Sequence, residues 1–147
     1  MSNDVISPLA VGRGALYALL ALLPVVLVGA VAESNIDDFE TSGWAALAFL
    51  ALVLCFGYGG WVAGAVDPEA PLTNGSLAGL GAFVMWIPLR VLIWAVRGDQ
   101  GLFSGDNAVF HPGAILVFVV IAGVAGMVGA VVSARRSTAR DEAADDG

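Results

Sequence analysis

The sequence predicts an all-α integral membrane protein: a bundle of four helices joined by short connections, with both termini on the cytoplasmic side. Three observations carry this. Hydrophobic residues make up 59% of the chain and charged residues 13%, far from the soluble average. The apolar residues gather into four stretches, and about 20 such residues form a helix of roughly 30 Å, the thickness of a bilayer's hydrocarbon core. Thirteen acidic residues stand against six basic ones, all arginine, beside a single cysteine. That balance disfavours a soluble enzyme, a nucleic-acid-binding surface and a disulfide scaffold.

The first span is expected over about 8–32. Ser7 before Pro8 makes a helix start, because the hydroxyl accepts from a first-turn amide and proline has none to leave unpaired. Pro24 is expected to kink the span. The triplet Ala30-Val31-Ala32 also fits a signal-peptide cleavage site, although Arg13 is a thin basic region for one. The second span covers about 44–66, after Thr41, Ser42 and Gly43, whose hydroxyls are expected to cap the first amides. The third covers about 75–97, starting near Asn74 or Gly75 and interrupted in character by Pro88 and Arg90. The fourth covers about 112–134. These spans form a single domain, 1–136, while residues 137–147 mix charges with alanine and predict a disordered acidic tail.

Orientation follows from arginine. With the N-terminus inside, Arg13, Arg135, Arg136 and Arg140 gather on the cytoplasmic side and Arg97 alone faces out. Glu33, Asp37, Asp38 and Glu40 then form an acidic outer connection.

Between apolar helices in lipid there is no hydrophobic gain, so close approach at small residues supplies association energy. Gly57, Gly60 and Gly64 share one face of the second span, and Gly75, Gly79 and Ala82 share one of the third. Gly123, Gly126, Ala130 and Ser133 repeat the stripe in the fourth, as do Gly14, Ala18 and Ala21 in the first. All lie in the inner half, and the outer halves carry bulk. The bundle is expected to taper inward, its outer part either filled by large side chains or enclosing a shallow vestibule.

The run Gly59-Gly60-Trp61-Val62-Ala63-Gly64, followed by Pro71-Leu72-Thr73-Asn74-Gly75-Ser76-Leu77-Ala78-Gly79, resembles a hairpin in small four-helix membrane proteins of prokaryotes. The resemblance covers about 20 residues and implies architecture, with no activity attached.

Arg90 lies seven residues before Arg97, hence about 10 Å deeper along a helix. A central arginine costs on the order of 3 kcal/mol on insertion scales. Its stripe includes Gly75, Gly79, Ala82, Trp86 and Ile93, so it should point into the bundle. One reading is a site for an anion or lipid headgroup, with Trp86 and Trp94 offering cation–π contact and Arg97 adding charge at the mouth. The other, which is favoured, is structural: a pair with Glu33, or snorkelling to lipid phosphate.

Chemistry is otherwise thin. The spans hold no carboxylate of the kind a proton-coupled exporter uses, and Cys55 stands mid-span without a base. His111 before Pro112 reads as a helix-start residue, and Asp37, Asp38 and Glu40 lack the spacing of a calcium loop. Leu102, Phe103, Val109 and Phe110 make the Arg97–His111 loop apolar enough to lie on the membrane. No catalytic group, metal or cofactor is expected. The expected role is a non-catalytic association or accessory subunit packing through its small-residue faces, with membrane lipids, further copies or a larger membrane complex as partners and no nucleic acid. The alternative is binding or transport of a small anionic solute or lipid headgroup at an outward vestibule centred on Arg90.

Overall fold

Successive helices run antiparallel in the computed structural model, which describes residues 6–36, 38–97 and 112–145, with backbone alone at 34, 40, 93, 94, 97, 112, 138 and 140–145. The helices are α1 (Pro8–Asn35), α2 (Gly43–Val66), α3 (Pro71–Arg97) and α4 (Pro112–Asp145), with a 3₁₀ turn at Phe39–Thr41. Each of the four contains a stretch long and apolar enough to cross a membrane. The chain is therefore an all-α four-helix membrane bundle. His111, Asp37 and the loop residues 98–110 fall outside the described residues.

The helix ends show what the local sequence does. Ser7 Oγ accepts the Ala10 amide at 3.4 Å, and Pro8 occupies the first turn. Pro24 and Pro88 sit inside α1 and α3 on exposed faces. At its far end α1 runs three residues past the expected Ala32, closed by the Asn35 side-chain amide, which donates to the Val31 carbonyl at 2.7 Å. Asp38 then reverses the chain in a left-handed conformation, φ 54°, one that aspartate tolerates better than most residues.

The start of α2 departs from expectation. Neither Thr41 nor Ser42 caps it. The Thr41 hydroxyl donates to the Asp38 carbonyl at 3.1 Å and the Ser42 hydroxyl to the Phe39 carbonyl at 2.6 Å, because the short 3₁₀ turn places carbonyls within closer reach than the amides of α2. Helix α3 also begins earlier than expected, on Pro71, which suits a first turn whose amides have no helical partner. Helix α4 continues beyond Ala134 to Asp145, through residues expected to form a disordered tail. Extending an existing helix through Ala139, Ala143 and Ala144 avoids the cost of nucleation, and alanine favours propagation.

In cross-section the bundle is a rhombus. Helices α2 and α3 touch each other and both outer helices, whereas α1 and α4 make no contact among the described residues. One end, here the turn end, carries the start of α1, the α2–α3 turn and the Arg135–Arg136 region of α4. The opposite end carries Arg90.

Apart from Asn74, residues buried toward the turn end are small: Ala10, Ala15, Ala18, Ala63, Ala78, Ala130 and Ser133, besides glycines. Farther along, Leu22, Cys55, Phe56 and Phe83 form the core, with Val25, Leu52, Trp86, Ile115 and Phe118 against it. Leucine and valine cover much of the outer surface, as at Leu16, Leu20, Leu54, Val84 and Leu116. Small side chains thus gather toward the turn end and large ones fill the opposite end.

Candidate functional site

The Arg90 end is built on aromatic rings from three helices. Phe83 and Trp86, one turn apart on α3, stack with centroids 5.8 Å apart. Phe118 of α4 meets Trp86 at 6.0 Å, and Phe49 of α2 meets Phe118 at 6.4 Å. The Arg90 guanidinium stands 5.5 Å from the centre of the Trp86 ring, within cation–π range. These rings occupy the space in which an open vestibule had been one expectation.

Trp86 Nε1 is buried and has no hydrogen-bond partner among the described residues, an unusual state for an indole N–H in a packed interior. Glu33 is exposed near the end of α1. The side chains of Trp94 and Arg97 lie outside the described residues, so the structure brings together Arg90 and Trp86 from the proposed set.

The glycine faces meet inside the chain. A methyl group built on Gly14 would stand 2.5 Å from the Gly59 carbonyl oxygen, one on Gly64 2.5 Å from that of Ala130, and one on Gly75 2.5 Å from that of Gly126. At Gly60 it would overlap the Gly126 carbonyl, at Gly79 that of Ala122, and at Gly126 that of Gly75. Real Cβ atoms do not approach so closely, so helix backbones touch at these points.

Gly57 and Gly123 differ. Added methyls there would make ordinary contacts at 3.6 Å, with the Ala125 carbonyl and the Ser76 hydroxyl. Two other glycines carry close approaches that the stripes did not include. Gly129 is set against the Gly57 backbone, and Gly59 faces α1 while Gly60 faces α4. Adjacent residues on a helix point about 100° apart, which is why a Gly-Gly pair lets α2 touch two neighbours.

At the turn end a polar cluster was also not anticipated. Asn74, 0% exposed, accepts the Ser7 amide through Oδ1 at 2.9 Å and donates through Nδ2 to Asp67 Oδ2 at 3.0 Å. Asp67 Oδ1 accepts the Glu69 amide at 3.2 Å, an Asx-type turn. The sequence signal was an asparagine seven residues after Asp-Pro at the start of an apolar helix. Among the described residues no three His, Cys, Asp or Glu side chains form a group that could hold a metal ion.

Among the described residues, two of the hollows on the outer surface are apolar and well formed. The larger, about 740 Å³, runs between α2 and α4 past Phe49, Leu54, Tyr58 and Trp61 on one wall and Val120, Val124, Val128 and Val132 on the other, with Arg136 at its turn end. The smaller, about 320 Å³, lies between α1 and α2 and is lined by Pro24, Val28, Gly29, Phe39, Trp44 and Leu47, among others.

No protein-family model, curated protein or solved structure matches this chain.

Proposed function

We propose that this membrane bundle is a non-catalytic association or accessory subunit, working with further copies of itself or within a larger membrane complex. The observation that carries the reading is the closure of the interior. Backbone meets backbone at Gly60 and Gly126 and at Gly64 and Ala130, while Leu22, Phe56, Phe83 and Trp86 pack the wider end. The small-residue faces, proposed from sequence as the association surface, hold this chain's own helices together. A partner therefore has the outer apolar surface to meet. The gathering of Arg13, Arg135 and Arg136 at the turn end supports placing that end, with both termini, in the cytoplasm.

Native mass spectrometry after gentle extraction from the membrane tests the reading. A discrete complex of fixed composition is the expected result, and a bare monomer would overturn it.

A second reading rests on Trp86. Its indole N–H, without a partner among the described residues, and the Arg90 guanidinium over its ring support recognition of a small anion or lipid headgroup at that end. If so, inorganic phosphate should quench tryptophan fluorescence saturably, and Arg90→Gln should abolish the quenching with helix content intact. Equal quenching by both proteins would remove the site.

A further inference from the structure

We propose that the α2–α4 groove holds one acyl chain of an anionic phospholipid, with the headgroup phosphate on Arg136. This goes beyond the association reading and does not depend on it. The shape comes from helix geometry. Val124, Val128 and Val132 recur every four residues and form a ridge along α4, and Tyr58 and Trp61 form the facing ridge on α2. Between the ridges the floor drops to backbone level, because a methyl group on Gly129 would already overlap the Gly57 carbonyl. The result is a trough of about 740 Å³, suited to a flexible apolar rod.

Polarity sets which rod. Arg136 lines the groove at the turn end and is exposed. On α4 the groove runs from Val120 to Arg136, a rise of about 24 Å, of which one leaflet's hydrocarbon covers about 15 Å. With the turn-end part of the trough in one leaflet, the guanidinium stands at headgroup depth, where it can bind phosphate with charge-assisted hydrogen bonds.

A second copy of the chain fits less well. Two copies inserted in the same direction and joined through this groove about a two-fold axis would set Arg136 beside its own symmetry mate, like charge against like charge. A neutral lipid would fill the trough and leave the arginine unused.

The test uses the full chain in detergent mixed with phosphatidylglycerol or phosphatidylcholine, with retained lipid counted by native mass spectrometry. The wild type should hold one phosphatidylglycerol per chain in preference to phosphatidylcholine. Arg136→Gln should cut that preference about fivefold, the weight of one arginine at an anionic surface. Arg135→Gln, at an exposed residue outside the groove lining, should leave it unchanged. Val128→Trp should fill the trough and release the lipid, and Val124→Trp takes its place if that variant loses helix content. Equal retention of the two lipids, an unchanged Arg136→Gln protein, or equal losses in both arginine variants would overturn the proposal. So would a dimer that Val128→Trp dissociates.

Discussion

Asn74 reaches back across 67 residues of chain to accept the backbone amide of Ser7 at 2.9 Å. The same side chain donates to Asp67, so one buried amide joins the first turn of α1 to the α2–α3 turn. Both hydrogen-bonding functions are used, which is how a buried polar group becomes stabilising instead of costly. Asn74→Leu should lower stability by about 1–3 kcal/mol, the usual cost of leaving buried partners unmet. Asn74→Asp should also destabilise at neutral pH, because it replaces the donor facing Asp67 with a second carboxylate. Unfolding of the reconstituted protein checks both.

Gly60→Leu should prevent the bundle from closing, since even a methyl group would meet the Gly126 backbone. It therefore tests the fold of the chain before any association with partners. Gly57→Ala, with ordinary contact room, and Gly12→Ala, with open space around it, should stay within about 1 kcal/mol of wild type, the penalty range of overpacking beginning near there. Protease resistance in detergent separates the three.

Trp86→Phe should cost little, because the shorter ring keeps much of the stack on Phe83 while removing a buried N–H that has no partner among the described residues. Trp86→Ala should cost about 3–5 kcal/mol through the cavity it leaves. Thermal unfolding of the two variants gives the comparison, and equal losses would mean the indole N–H is engaged in the membrane.

Membrane orientation has a direct readout. In a Cys55→Ser background, Asp38→Cys should react with an impermeant maleimide added to intact cells. Ser137→Cys should react only after permeabilisation. The reverse pattern would invert the bundle.

Composition and period made the helices and their small faces readable, because span length and glycine spacing are local properties of the chain. Gly60 and Gly64 could be placed on one face from spacing alone. What spacing does not encode is which neighbour a face meets. Gly59 and Gly129 matter because α2 touches both α1 and α4, a fact of three-dimensional arrangement. The polar cluster was hidden for the same reason: Asn74 finds Ser7 only once α1 and α3 lie together. At the Arg90 end, the adjacency of Trp86 to Arg90 followed from helical spacing. The filling of the vestibule depended on Phe118 arriving from another helix.

The rhombic cross-section also sets a sequence of events during synthesis. Among the described residues helix α1 has no contact with α4, so the helices of this chain that it touches have emerged once α3 is made. Helix α3, the least apolar of the four spans and the bearer of Asn74 and Arg90, leaves the ribosome after α1 and α2, both of which it touches. Its polar residues thus enter a membrane where two of their three neighbours already stand, and α4 arrives last to seal the Gly60, Gly64, Gly75 and Gly79 backbones. A nascent chain halted before α4 would leave those four glycines without the backbone they meet in the finished bundle.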